Sequence, residues 1–181
     1  MPSRAASSPR CFVAIWPDPE ARVRLAHETA ELCALYPRIR PLAASNLHLT
    51  LAFIGALPAA SAGAVADEIA RVDLGVPALG GAIWQVDRIG AFPGARVAWA
   101  SGGADLLQPI AAAVRALLDR LRIDYDRKPF IPHVTLARHA AQVAPGAIVP
   151  PIRWRIGAPR LVVSAREGGV LRYSDWPMPF G

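Results

Sequence analysis

A short pattern, His-x-Thr-Leu, occurs twice in this 181-residue chain and limits its fold more than any other feature. His48-Leu49-Thr50-Leu51 lies in the first half and His133-Val134-Thr135-Leu136 in the second, 85 positions later. Each copy sits in a run that reads as a β-strand, in which residues i and i+2 share a face. His48 and Thr50 therefore point one way, as do His133 and Thr135. Leu49, Leu51, Val134 and Leu136 point the other way, into a core. The chain must present two strands of the same kind, each with one apolar face and one face bearing an imidazole and a hydroxyl.

The surrounding pattern supplies the frame for these strands. Residues 11–16 (CFVAIW) read as a strand, stopped by Pro17-Asp18-Pro19, where Asp18 suits a helix cap and Pro19 a first turn. Val23, Ala26, Ala30 and Cys33 then recur at spacings of three and four, which predicts an amphipathic helix ending near Tyr36-Pro37. The first motif strand is expected over 47–54 and a second helix over 61–72. Strands over 78–89 and 95–101 follow, joined at Phe92-Pro93-Gly94. Leu107, Ile110, Val114, Leu117 and Leu121 mark a third helix, beginning close to Pro109. The second motif strand is expected over 130–137, a Pro/Gly-rich loop over 144–151, and closing strands over 153–157, 160–165 and 170–173. A strand, a helix and a motif strand open each half, which implies two similar lobes with a cleft between them.

Composition narrows the function classes. Apolar residues make up 53% of the chain, enough for a core. The net charge is +6, and nineteen of the twenty basic residues are arginine, Lys128 being the lysine. Guanidinium forks bind phosphate oxygens in pairs, so this bias favours a polyanionic ligand, although a solvated basic surface accounts for it as well. Cys11 and Cys33 have no C-x-x-C spacing and no histidine at metal-ligand spacing, so reduced thiols in a cytoplasmic protein are expected. Residues 1–10 lack an apolar stretch and are expected to form a flexible tail before one bilobal domain over 11–181. Residues 41–66 carry no formal charge, but Asn46, Gly55, Pro58 and Ser61 interrupt them, so no membrane span is expected.

Two imidazoles and two hydroxyls paired in this way suit metal-free acid–base chemistry on a phosphate. Histidine titrates near neutrality, so one ring can take a proton from water while the other gives one to a leaving alkoxide. Threonine hydroxyls and a cation would hold the non-bridging oxygens. The carboxylates fall on predicted helices and loops, outside both motifs, so neither a metal nor another cofactor is called for.

The flanks, Asn46-Leu47-His48-Leu49-Thr50-Leu51-Ala52-Phe53-Ile54-Gly55 and Arg127-Lys128-Pro129-Phe130-Ile131-Pro132-His133-Val134-Thr135-Leu136-Ala137-Arg138, carry a resemblance to a known family. With the opening Arg10–Ile15 strand, Arg96-Val97-Ala98-Trp99, Arg172-Tyr173 and Trp176-Pro177, the chain resembles the 2H phosphoesterase superfamily. Within it, the resemblance is to the bacterial and archaeal RNA 2′,3′-cyclic phosphodiesterases, once called 2′-5′ RNA ligases. That resemblance implies a bilobal α+β fold, with two antiparallel sheets flanking a central cleft and helices on the outer faces. It implies hydrolysis of a 2′,3′-cyclic phosphate, on RNA or a nucleotide, to a 2′-phosphomonoester. His48 is then the proton donor and His133 the proton acceptor, with Thr50, Thr135 and Arg138 binding the phosphate. The motifs alone do not order the two histidines. Arg138 raises a geometric objection: five residues from His133, strict alternation puts it on the opposite face unless the strand bends, ends or lets the side chain reach round.

Other readings use the same residues. A ligase would run the reaction backward, joining a 5′-hydroxyl to the cyclic phosphate. A non-catalytic RNA- or nucleotide-binding module would keep the cleft without turnover. A metallohydrolase wants ligands that the sequence does not offer. Arg127 and Lys128 are candidates for following an RNA backbone, with solvated charge the stronger reading for either alone, and Phe12 and Tyr173 for stacking a nucleobase, with core packing the stronger role for Phe12. His27 and His139 read as incidental, and a monomer is expected.

Overall fold

The computed structural model describes residues 10–72 and 81–177. Of the tail expected over residues 1–10, only Arg10 lies within them, and it opens the first strand. The described elements are β1 (Arg10–Ile15), α1 (Pro19–Leu35), β2 (Arg40–Pro41), a 3-10 turn (Ala44–Asn46), β3 (Leu49–Ala56), α2 (Ala59–Arg71), β4 (Ile83–Phe92), β5 (Val97–Gly102), α3 (Leu107–Arg120), β6 (Val134–Arg138), β7 (Gly146–Arg155), β8 (Arg160–Glu167) and β9 (Val170–Asp175). None of the described helices is long and apolar enough to cross a membrane.

All the strand pairs are antiparallel, in the order β7-β4-β5-β6-β3-β1-β8-β9, with β2 added beside β6. The two expected sheets are thus continuous halves, β7-β4-β5-β6 and β3-β1-β8-β9. They join where β3 meets β6 at a single recorded pair, Leu49↔Val134. Helix α1 packs on the half containing β7 and β6, while α2 packs on β8 and α3 on β3. The main core fills the space between the sheet and these helices. It contains Leu49, Leu51, Val134 and Leu136, all at most 1% exposed. A second, small cluster of Phe12, Ala14 and Val162, with Trp16 and Tyr173 against it, covers part of the other sheet face.

Local signals set most element ends. Asp18 caps α1 by accepting from the Ala21 amide at 3.0 Å, and Pro19 occupies the first turn, where its missing N–H costs no intrahelical bond. Pro109 likewise sits in the first turn of α3, whose buried stripe includes Leu107, Ile110, Val114 and Leu117.

Three expectations need correction. The buried stripe of α1 is Ala21, Leu25, Thr29 and Leu32, and Val23 is 69% exposed. The larger leucines, not the valine, face the sheet, and Thr29 is tolerated there because its hydroxyl donates to the Leu25 carbonyl. The second motif strand begins at Val134 rather than at 130, since Pro129 and Pro132 cannot donate to a ladder. Residues 144–151 are partly strand: Gly146 and Ala147 pair with Ile89 and Arg88, and the register resumes at Ile152↔Val86, so the prolines lie in an irregularity of β7.

One glycine is required by a side chain of the neighbouring strand. Gly90 pairs with Trp99, and a Cβ there would fall within the Trp99 indole. The indole therefore lies flat on β4, and Phe92 stacks against it with ring centroids 5.4 Å apart. Gly90→Ala should lower the melting temperature by about 5 °C, as expected for overpacking a formed contact. A melting curve unchanged from the parent protein would show that Trp99 does not occupy this place.

Candidate active site

The junction between the half-sheets puts the two motifs together. Leu49 and Val134 pair antiparallel with both side chains in the core. On the opposite face, the flanking residues are His48, immediately before β3, with Thr50 inside it, and His133, immediately before β6, with Thr135 inside it. The antiparallel register sets His48 beside Thr135 and Thr50 beside His133, an approximate two-fold arrangement about the Leu49↔Val134 pair. All four side chains are half-buried.

The two histidines are held alike. Nδ1 of His48 lies 2.7 Å from the Asn46 carbonyl, and Nδ1 of His133 lies 2.7 Å from the Ile131 carbonyl. A carbonyl only accepts, so each Nδ1 carries the proton, and in the neutral ring Nε2 has a free lone pair. Each backbone carbonyl belongs to a segment fixed by a buried polar side chain. Asn46 donates to the Leu171 carbonyl at 2.9 Å and accepts from the Tyr173 amide, which ties the first segment to β9. Ser101 donates to the Pro132 carbonyl at 2.5 Å, which ties the second segment to β5. Aromatic rings complete both settings. Phe12, 4% exposed, lies 4.8 Å from the His48 ring with Tyr173 at 5.2 Å, and Phe92 meets the His133 ring edge-on at 5.1 Å.

Matching irregularities re-aim the strands beyond each motif. Along β3, Val13 pairs with Ala52 and Ala14 with Thr50, so Leu51 is an extra residue. Along β6, Ala98 pairs with Ala137 and Trp99 with Thr135, so Leu136 is an extra residue. Each bulge lets two consecutive residues face the core, and Leu51, Ala52, Leu136 and Ala137 are all at most 2% exposed. The fifth residue after each histidine thereby returns to the cleft face. In β6 that residue is Arg138, so the bend removes the objection raised by strict alternation, and Arg138 joins His133 and Thr135. In β3 it is Phe53, 38% exposed, which sequence reading passed over. Its signal was present, since both motifs continue Leu-Ala and then diverge to Phe53 and Arg138.

Phe53 forms one wall of a cavity of about 310 Å³ that also touches Thr50, Phe92, Phe130, Ile131 and His133. Arg115 braces this wall from α3, donating to the Leu51 carbonyl at 3.4 Å and to the Lys128 carbonyl at 3.0 Å. The nearby cations weighed above for following a backbone lie in exposed ion pairs, Arg127 with Asp119 at 2.6 Å and Lys128 with Asp126 at 3.0 Å, as suits solvated charge. Phe12 is a packing residue beneath His48 rather than an open stacking surface. Tyr173 is half-buried, and His27 and His139 make none of the contacts described for the cluster. Among the described residues, no three His, Cys, Asp or Glu side chains gather as a metal site.

The charge states follow from burial. Desolvation pushes the His48 imidazole down to about 4, aided by the positive charges of His133 and Arg138 and opposed by the Asn46 carbonyl. Desolvation also lowers His133, with the Ile131 carbonyl opposing. Both rings are thus neutral at neutral pH, and a bound anion should raise both. The stability linkage has a definite sign. Between about 4 and the ordinary histidine value near 6.5, the unfolded chain binds more protons at His48, so its contribution is full above that window and is lost as pH falls through it. Histidine-resolved NMR titration should place His48 near 4 in the free protein and move both rings upward with inorganic phosphate. Ordinary values in both states would contradict this account.

Comparison with known proteins places the fold in a family. The family model "LigT like Phosphoesterase" matches residues 15–99. No curated protein sequence matches the chain. Among solved structures, E. coli LigT complexed with 3′-AMP is similar at 30% identity and a TM-score of 0.78, over 93% of this chain and 95% of LigT. E. coli LigT complexed with NADP+ is similar at 29% identity and a TM-score of 0.71, with the same coverage. The protein TT0787 of Thermus thermophilus is similar at 26% identity and a TM-score of 0.75, over 92% of this chain and 94% of that one. With 93% of this chain matched to 95% of LigT at 30% identity, the chain belongs to the LigT-like phosphoesterases of the 2H superfamily.

Proposed function

We propose that this phosphoesterase hydrolyses RNA 2′,3′-cyclic phosphate ends to 2′-phosphomonoesters by acid–base catalysis between His48 and His133. The observation that carries the reading is the two-fold cluster. Two imidazoles, each with Nδ1 committed to a backbone carbonyl and Nε2 unclaimed, flank a space bordered by two threonine hydroxyls. The nucleotides in the E. coli LigT complexes add support, as does the cavity walled by Phe53, Phe92 and Phe130, whose apolar surface suits a nucleobase.

In this mechanism Nε2 of His133 takes a proton from water as the water oxygen attacks phosphorus. The bond from phosphorus to the ribose 3′-oxygen breaks, and His48 gives its Nε2 proton to that oxygen. The product keeps phosphate on the 2′-oxygen. The order of the roles comes from the family resemblance. Burial of His48 suits the acid role in one respect, because a ring whose charged form is disfavoured gives up its proton readily once the anionic substrate has loaded it. Thr50 and Thr135 donate hydroxyl protons to the non-bridging oxygens, and the Arg138 guanidinium offsets charge gathering there.

Product analysis on a 2′,3′-cyclic-phosphate-ended oligoribonucleotide tests the reading. A 2′-phosphate is expected, and a 3′-phosphate would overturn it. His48→Ala and His133→Ala should each lower kcat by about 10²–10⁴-fold with the fold intact by circular dichroism. Survival of full activity in either variant would remove that ring from the mechanism. Activity should persist in EDTA, and its loss would point to a metal-dependent reaction instead.

A further inference from the structure

The β2–β6 pairing sets Arg40 directly opposite Arg138. Directly opposed residues share a sheet face, with Cβ atoms about 4.5–5.5 Å apart. The bulge at Leu136 turns Arg138 to the cleft face, so Arg40 is brought to that face beside it. Both are exposed, and among the described residues neither has a carboxylate within ion-pair distance. Like charges placed opposite one another across two strands are destabilising unless something negative lies between them. Strand β2 is only two residues long, yet its pairing is extended by the Leu42 amide, which donates to the Leu136 carbonyl at 2.8 Å, at the bulge itself.

We propose that Arg40 is a second phosphate-binding residue and that, with Arg138, it makes the cleft selective for a dianionic phosphoryl group over a monoanionic one. The inference rests on the hydrolytic reading above and deepens it. A cyclic phosphodiester carries one negative charge. Addition of the water oxygen and transfer of its proton to His133 give the phosphoryl group a second charge, and the 2′-phosphomonoester keeps that charge at neutral pH. One guanidinium balances the substrate, whereas two balance the charge that develops from it. Threonine hydroxyls discriminate far less between the two charge states, and at pH 8 the two half-buried imidazoles, both held below the ordinary histidine value, are neutral, so the preference falls to the arginine pair.

The test compares adenosine 2′-monophosphate, a dianion at pH 8, with its monoanionic methyl ester, by titration calorimetry. The unmodified protein should bind the monoester about tenfold more tightly than the methyl ester. Arg40→Ala should reduce that ratio to near one, and Arg40→Lys should keep an intermediate ratio, because an ammonium supplies charge without the two-pronged geometry. Equal weakening of both ligands in Arg40→Ala, or no change in the ratio, would overturn the proposal. A ratio near one in the unmodified protein would do the same. Circular dichroism of each variant separates loss of fold from loss of preference. If the unmodified protein releases no 2′-phosphate from a cyclic end, the hydrolytic reading itself fails, and that outcome is distinct from all of these.

Discussion

Everything in the cleft depends on one buried contact, the pairing of Leu49 with Val134. Neither side chain has exposed surface, and each is fixed in the core by the helices beneath the sheet. Because strand side chains alternate, burying these two residues forces their neighbours to the opposite face. A one-residue slip of either strand would drive an imidazole and a hydroxyl into an apolar core and expose leucine. That alternative loses burial of several large side chains, each contributing about 1.5–3 kcal/mol, and adds desolvated polar groups. The register that builds the site is therefore held by hydrophobic burial, and the histidines and threonines themselves need contribute little to it.

The electrostatic setting follows from the same geometry. Two histidines placed across one narrow junction, with arginines nearby, cannot all carry charge cheaply without an anion. Burial against Phe12 on one side and Phe92 on the other disfavours the imidazolium forms further. The cleft thus holds neutral rings in a defined tautomer, with the backbone carbonyls two residues upstream as fixed acceptors. On the proposed function a phosphate anion would supply the missing negative charge, and ligand binding and proton uptake would then be thermodynamically linked at this site. The buried side chains of Asn46 and Ser101 matter here because they anchor the segments that carry those carbonyls or adjoin them.

Much of this was legible in the sequence. The repeated His-x-Thr-Leu pattern identified both strands and the shared face of each pair, and Asp18-Pro19 marked the start of α1. The misjudged details came from context that local patterns do not carry. In α1 the apolar spacing of Val23, Ala26, Ala30 and Cys33 was real, but the sheet selected the face with Leu25 and Leu32. The prolines at 150 and 151 read as loop, yet their flanks pair with β4. The bulges at Leu51 and Leu136 were invisible to strict alternation, which hid Phe53 and made Arg138 look misplaced. A residue's pairing partner is a tertiary fact, and the opposition of Arg40 to Arg138 belongs to the same class.

The approximate two-fold symmetry of the cluster poses its own problem. His48 beside Thr135 and His133 beside Thr50 are nearly equivalent pairs, so the cluster alone gives no preferred direction to a substrate. Direction comes from the first positions at which the halves differ. Five residues past His48 the bulged strand presents Phe53, whose ring lies under the Arg10 guanidinium at 5.3 Å and faces an apolar cavity. Five residues past His133 the equivalent bulge presents Arg138, with Arg40 across from it. One end of the site is therefore an aromatic surface and the other a pair of cations. A nucleotide has the same polarity, an apolar base at one end and a phosphoryl group at the other. On the proposed function, the repeat would supply two matched proton carriers, and the residues that break the repeat would decide which way round a nucleotide lies between them.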